Sequence, residues 1–141
     1  MMKQSIFTII GIIGGTIASY FGGWDDAVIT LIIFMAIDYI SGLVVAGIFH
    51  KSKKTKSGTL ESRAGLKGLI RKGMMLLIVL IAYRVDITMH TTIAKDAAVI
   101  GFIANELISI VENCGLMGIP LPEKLTNAID VLKKSTEIEP K

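Results

Sequence analysis

Residues 50–72 read HKSKKTKSGTLESRAGLKGLIRK, and this basic connector separates two strongly apolar segments. It carries eight of the chain's fifteen lysines and arginines against one acid, Glu61. Cationic loops beside long apolar segments stay on the cytoplasmic side of a bilayer, because moving Lys and Arg across it is disfavoured. We therefore expect these side chains to set the topology and to meet anionic lipid headgroups: Lys51, Lys53, Lys54, Lys56, Arg63, Lys67, Arg71 and Lys72.

The overall composition points to the same class of protein. Hydrophobic residues make up 52% of the 141 residues and charged residues only 19%, and the mean hydropathy is +0.63. These values are typical of membrane proteins rather than soluble domains. We predict an all-α, polytopic integral membrane protein with three to four transmembrane helices in a single domain.

Several other classes of protein are disfavoured. The formal net charge of +3 comes almost wholly from the connector, which has no aromatic residues among its lysines, so we expect no nucleic-acid partner. Cys114 is the single cysteine, and His50 and His90 lack the spacing of metal ligands. We expect no metal and no cofactor.

Four apolar segments follow from the hydropathy, at about 5–22, 27–49, 69–89 and 97–119. The third is long enough only if Arg71 and Lys72 extend to the cytoplasmic headgroups, and if Arg84 and Asp86 reach the opposite surface or pair with each other. The fourth has a competing interpretation as an amphipathic helix on the membrane surface, which leaves three crossings. Four crossings place both termini in the cytoplasm.

The chain ends in residues 120–141, which we assign to a cytoplasmic tail. Pro120 and Pro122 end the fourth segment. Apolar residues then recur at helical spacing, at Leu121, Leu125, Ile129 and Leu132. This spacing predicts a C-terminal amphipathic helix.

Small residues mark two candidate helix-packing faces. In the first segment they follow the spacing i, i+4, i+7 and i+11, at Gly11, Gly15, Ala18 and Gly22. In the second segment, Ser41 and Gly42 lie close to the face of Asp38. Such positions let neighbouring membrane helices approach closely.

Asp38 lies near the middle of the second segment. An ionised carboxylate there costs about 2.5–3.5 kcal/mol on insertion scales, so we expect it to face protein or water rather than lipid. A role in helix assembly and a role in lining a pore are both consistent with this position. We hypothesise an ion pair with Lys72, since the third segment leaves the cytoplasm where the second enters it.

Polar residues in the fourth segment are patterned along one face. Asn105, Ser109 and Glu112 are spaced i, i+4 and i+7, with Glu106 and Asn113 beside them. A helix with such a face is suited to lining water or contacting partner helices. We predict that Asp38, Asn105, Glu106, Ser109 and Glu112 line a pore or contact other copies.

No catalytic motif is present in the sequence. It has no GxSxG, no HExxH and no phosphate-binding glycine loop, and we therefore predict no enzyme and no catalytic residue. The chain has too few helices to enclose a conduit alone, so a pore implies a homo-oligomer. A small ion channel and an accessory subunit of a membrane enzyme or transporter are the alternatives.

Two blocks resemble the toxin-secretion/phage-lysis holin family. The first runs from Asp38-Tyr-Ile-Ser-Gly-Leu-Val-Val-Ala46 through Ser62, Gly65, Gly68 and Arg71-Lys72 to Asp86. The second is Asn105-Glu106-Leu-Ile-Ser109-Ile-Val-Glu112-Asn113, followed by Gly118-Ile-Pro120-Leu-Pro122. The resemblance covers roughly residues 27–134, with both blocks in order and at similar spacing.

The resemblance implies a phage or prophage holin in the bacterial cytoplasmic membrane. Such a protein oligomerises and then opens lesions abruptly. An endolysin made in the cytoplasm passes through them to the peptidoglycan, and related members export toxins. The functional partner implied for this chain is accordingly an endolysin or an exported toxin.

Overall fold

A computed structural model describes residues 1–136, and these residues form five helices without a strand. The prediction of an all-α membrane protein is confirmed. The helices are α1 (Met2–Tyr20), α2 (Asp26–Gly47), α3 (Ser62–Met89), α4 (Ile93–Leu116) and α5 (Glu123–Thr136). Within the described residues, α1, α2 and α4 are long and apolar enough to cross a membrane.

Helix α3 joins two regions that the sequence analysis separated. The second half of the connector does not form a short helix of its own, because α3 continues unbroken for 28 residues from Ser62 to Met89. The part of α3 that was predicted to cross the membrane, residues 69–89, contains Arg71, Lys72, Arg84 and Asp86. Because of these charges, α3 is less apolar than α1, α2 and α4 and is not among the helices that could cross a membrane by length and composition alone.

The turn between α3 and α4 is shorter than expected. The hydropathy placed the start of the fourth segment at residue 97, whereas α4 begins at Ile93 and only residues 90–92 separate the two helices. Asp86 accounts for the difference, because it accepts hydrogen bonds from the backbone N–H groups of Ala94 and Lys95. A capped N-terminus lets a helix begin in a polar sequence that hydropathy assigns to a loop.

Helices α2, α3 and α4 form a bundle around an apolar core. Its buried side chains are Val28, Leu31, Met35, Met75, Val79 and Val99. Helices α2 and α4 run in the same direction, since Asp25 contacts Lys95 at one end and Asp38 contacts Asn113 further along. Helix α3 runs in the opposite direction.

Helix α1 stands largely outside this bundle. Ala18 is its one buried residue, and an added Cβ at Gly11 or Gly15 would meet no atom within 4 Å in the described residues. Over most of its length, the predicted packing stripe therefore contacts nothing else in residues 1–136. At its end, Gly22 adopts a φ of +80° beside Tyr83, where a Cβ would lie 2.6 Å from the ring.

The end of the described chain is the amphipathic helix α5. Pro120 and Pro122 precede it, as the sequence predicts, and Ile129 is half-buried whereas Leu125 is exposed. The last five residues of the predicted tail, 137–141, lie outside the described residues.

Candidate functional site

Three charged side chains from three helices meet inside the bundle. The Nζ of Lys72 on α3 lies 2.6 Å from Oδ2 of Asp38 on α2 and 2.7 Å from Oε2 of Glu106 on α4. The ion pair hypothesised between Asp38 and Lys72 is confirmed. Lys72 therefore bridges two helices through one ammonium group, rather than extending to the lipid headgroups.

Asn113 connects the same two helices through neutral groups. Its Nδ2 donates to Oδ1 of Asp38 at 3.1 Å and to Oγ of Ser41 at 2.8 Å. It also lies 3.3 Å from the backbone carbonyl oxygen of Asp38. We call Asp38, Ser41, Lys72, Glu106 and Asn113 the inner cluster.

The inner cluster is almost completely removed from solvent. The side chains of Asp38 and Glu106 are 5% and 3% exposed, and that of Lys72 is 13% exposed. Burying such charges is costly unless they are paired and hydrogen-bonded. A cost of this kind in the middle of apolar helices is typical of functional positions in membrane proteins.

A cleft of about 310 Å³ borders the inner cluster. Its walls come from α2, α3, α4 and the connector loop, with Lys54, Leu60 and Glu61 on the connector side. All five residues predicted to line a pore or contact other copies also line this cleft: Asp38, Asn105, Glu106, Ser109 and Glu112. Asp38 and Glu106 are buried at its base, whereas Asn105 and Glu112 are exposed.

Small residues allow the helices to approach around the cleft. A Cβ added at Gly42 would lie 3.8 Å from Nδ2 of Asn113, and one at Gly65 would lie 3.4 Å from the hydroxyl of Tyr39. The structure thus places Ser41 and Gly42, both predicted packing residues, where α2 meets α4.

The other seven connector cations lie outside the inner cluster, although Lys54 and Arg71 line the adjoining cleft. All are exposed, and none forms a salt bridge in the part of the chain that the structure describes. They are Lys51, Lys53, Lys54, Lys56, Arg63, Lys67 and Arg71. This arrangement leaves them available to solvent or lipid headgroups.

A second polar cluster lies at the end of the bundle where α3 turns into α4 and where α2 begins. Asp86 accepts from the Thr91 hydroxyl at 2.6 Å and from the N–H groups of Ala94 and Lys95 at 2.9 and 2.8 Å. It thereby caps α4 instead of pairing with Arg84 or reaching the surface. The first turn of α4 is fixed to the last turns of α3.

Lys95 ties this cap to the turn between α1 and α2. Its Nζ donates to the Phe21 carbonyl oxygen at 2.6 Å and to Oδ2 of Asp25 at 3.0 Å. It also lies 5.2 Å from the centroid of the Tyr83 ring, a cation–π contact. We call Asp25, Asp86, Thr91 and Lys95 the outer cluster.

Asp25 also caps helix α2. Its Oδ1 accepts from the Val28 N–H at 2.9 Å. Partial burial raises the pKa of Asp25, but the hydrogen bonds from Val28 and Lys95 outweigh it and leave the pKa below its ordinary value of 3.8.

The sequence does not predict the outer cluster, and the hydropathy leaves Lys95 between the third and fourth segments. The available signal was the position of Asp86 eight residues before Ala94, which fits a carboxylate at a tight helix–helix turn. Asn113 was recognised only as a neighbour of the polar face. Its partners lie some 70 residues earlier, so no local pattern identifies them.

The fold and the inner cluster define a small helical membrane protein with charged groups held inside its helix bundle. The chain belongs to the bacteriophage holin family, which it matches over residues 15–134. This family membership confirms the resemblance that the two sequence blocks carry, and it agrees with the assignment to a membrane protein.

Relatives include bacterial proteins and a phage protein. An uncharacterized protein of Listeria monocytogenes is 41% identical over 135 residues, covering 93% of this chain and 91% of the relative. An uncharacterized 14.9 kDa protein of Clostridium perfringens is 37% identical over 121 residues, with coverage of 84% and 86%. A probable holin of Bacillus phage phi105 is 29% identical over 108 residues, with coverage of 76% and 74%. No solved structure matches the chain at a significant level.

Proposed function

We propose that this protein is a holin that accumulates as a homo-oligomer in the bacterial cytoplasmic membrane and then opens lesions. An endolysin made in the cytoplasm passes through these lesions to the peptidoglycan, or a toxin is exported through them. Membership of the bacteriophage holin family and the similarity to a probable phage holin support this proposal.

The observation that carries the proposal is the inner cluster beside its cleft. Asp38, Lys72 and Glu106 are buried between helices, yet they border a cleft of about 310 Å³ with polar and apolar lining residues. Charged groups in this position are expensive in lipid and are tolerated beside water or other protein.

The proposed topology has four crossings, with the connector and both termini in the cytoplasm. Helix α3 contacts both α2 and α4 through Lys72 in the inner cluster, and it contacts the start of α4 through Asp86 near its own end. If α2 and α4 cross the bilayer, α3 crosses it beside them. The bundle core shields one side of α3, and its charged residues lie in its first eleven or last six residues, with Lys72 in the inner cluster.

The proposed mechanism has a storage stage and an opening stage. In storage, the inner cluster keeps the charged faces of α2, α3 and α4 together, and lipid covers the apolar outer surface. Opening separates these faces, so that residues lining the cleft, with Asn105 and Glu112 already at its exposed edge, turn toward water between several copies. The residues that line the cleft would then line the lesion.

The experiment is inducible expression in a bacterium that also carries a cytoplasmic peptidoglycan hydrolase. Membrane potential, culture density and release of a large cytoplasmic reporter are followed together. The proposal predicts an abrupt fall in culture density only when the hydrolase is present, with reporter release at the same moment. The Asp38→Ala and Glu106→Ala variants should lose both effects at equal membrane abundance.

The matched control is Asp130→Ala, which removes an exposed carboxylate of α5. It should behave as the wild type does. Depolarisation without reporter release would replace the holin assignment with a small ion channel. Membrane insertion without any effect on the cells would indicate an accessory subunit.

A further inference from the structure

The inner cluster contains one more carboxylate than ammonium groups. Asp38 and Glu106 share the single Nζ of Lys72 at 2.6 and 2.7 Å, and the other members, Ser41 and Asn113, are neutral. With both carboxylates ionised, the cluster carries a net negative charge inside the helix bundle. Such a charge is strongly disfavoured unless a further cation joins it.

The two carboxylates are not equally supplied with hydrogen-bond donors. Asp38 accepts from Lys72 and from Nδ2 of Asn113, which is itself buried. The hydrogen bond found for Glu106 in the described residues comes from Lys72. Hydrogen bonds to the charged form favour ionisation, so Asp38 is the better stabilised anion and Glu106 is the better acceptor for an added cation.

The other charged groups around Glu106 do not remove the imbalance. From α3, Arg71 lines the cleft, and from α4, Glu112 does so; the connector contributes Lys54 and Glu61. These four side chains are exposed, and their two positive and two negative charges offset each other. Water and salt screen them far more than the buried groups.

We propose that Glu106 is a proton-binding site that exchanges one proton with cytoplasmic water through the cleft. A hydronium ion in the cleft gives its proton to a carboxylate oxygen of Glu106, which leaves water and a neutral carboxylic acid. The cluster then consists of one carboxylate, one ammonium and one carboxylic acid, with no net charge. Loss of the proton restores the excess negative charge and weakens the closed arrangement of α2, α3 and α4.

This inference rests on the proposed topology, which directs the cleft to the cytoplasm, but it does not depend on lesion formation. It adds to the proposed holin a ligand, the proton, and a residue, Glu106, at which opening is regulated. Accumulated protein would open more readily when Glu106 releases its proton. The test must therefore observe the proton directly and not through lysis.

The test is infrared spectroscopy of the full-length protein in liposomes, with glutamate labelled by ¹³C at the side-chain carboxyl group. We expect the carbonyl band of a protonated glutamic acid in the wild type at neutral pH, shifted when the water is exchanged for heavy water. Glu106→Gln should remove the band. Asp38→Asn should also remove it, because one carboxylate and one ammonium then balance, while the bundle keeps its shape.

Glu112→Gln is the matched control, since it removes an exposed glutamate from the same cleft. It should retain the band. A wild-type spectrum without the band at neutral pH would overturn the proton site, as would a band that persists in Glu106→Gln. A band that behaves as expected in a protein that causes no lysis would instead reject the holin assignment and leave the proton site intact.

Discussion

The two polar clusters differ in what supplies their hydrogen bonds. In the outer cluster, Asp25 and Asp86 accept from backbone N–H groups at the starts of α2 and α4. In the inner cluster, Asp38 and Glu106 lie within helices, where the N–H groups are already paired. Their donors are the side chains of Lys72 and Asn113.

This difference indicates that the outer cluster is a structural contact, whereas the contacts of the inner cluster can rearrange. Breaking the outer cluster exposes helix ends and frees a turn, so it costs stability and yields no alternative arrangement. The inner cluster depends on side chains from three helices and borders a cleft, so its partners can change without unwinding any helix. We infer that the outer cluster maintains the bundle and that the inner cluster controls its opening.

The largest expected effect comes from Lys72→Met. It leaves two buried carboxylates without their shared cation, and the loss of one partner of a buried ion pair costs about 3–5 kcal/mol. Thermal unfolding of the purified protein in detergent, followed by circular dichroism, should show a marked loss of stability. Lys67→Met changes an exposed lysine of the same helix and should have little effect. Equal stabilities of the two variants would show that Lys72 does not hold the helices together.

Asp86→Ala should produce the next largest effect. It removes the acceptor for two backbone N–H groups and for the Thr91 hydroxyl, and loss of a helix cap costs about 0.5–2 kcal/mol. Hydrogen exchange at Ala94 and Lys95 should increase most. Asp86→Asn keeps one acceptor oxygen, so its hydrogen-exchange rates at these two amides should lie between those of Asp86→Ala and the wild type. Unchanged exchange at these amides in Asp86→Ala would contradict the capping role.

Asn113→Ala should have a smaller effect of about 1 kcal/mol, because hydrogen bonds between membrane helices are individually modest. The variant loses the contacts to Asp38 and Ser41 and leaves the ion pairs with Lys72 in place. The coupling energy between Asn113 and Ser41 can be measured by a double-mutant cycle that combines Asn113→Ala with Ser41→Ala. Strictly additive effects on stability would show that Asn113 does not join α2 to α4 through Ser41.

The smallest effect is expected for Asp25→Asn, which keeps the cap of α2 and removes the charge facing Lys95. The Asp25 carboxylate is 49% exposed, so the pair contributes less than about 1 kcal/mol. Since the folded-state pKa is lowered from 3.8, the contribution is present above that value and is lost as the pH falls through the folded-state pKa. The free energies of unfolding of the wild type and of Asp25→Asn, measured against pH, should become equal in strong acid. A difference that grows on acidification would contradict this sign.

The sequence predicted the helices well and the contacts between them unevenly. Long apolar runs identify membrane helices directly, and a carboxylate such as Asp38 within one indicates a buried partner. The pairing of Asp38 with Lys72 followed from topology, because antiparallel neighbours bring the cytoplasmic ends of two helices together.

The remaining contacts require information that hydropathy lacks. It treats Asp86 and Lys95 as solvated, although one caps a helix and the other lies beneath the turn from α1 to α2. The extension of α3 through its basic first turns was missed for a similar reason. Helix formation depends on backbone geometry and side-chain propensity. Neither changes at the boundary between lipid and water, so a helix can continue from the membrane into the cytoplasm.

The most direct measurement of the central claim compares lysis timing in Glu106→Gln and Asp86→Asn at matched membrane abundance, with the hydrolase present. We expect Glu106→Gln to delay opening, because the inner cluster is then neutral at all times and favours the closed state. Asp86→Asn should accumulate more slowly and open at the same abundance as the wild type. Delayed opening in both variants at equal abundance, or in neither, would contradict the assignment of control to the inner cluster.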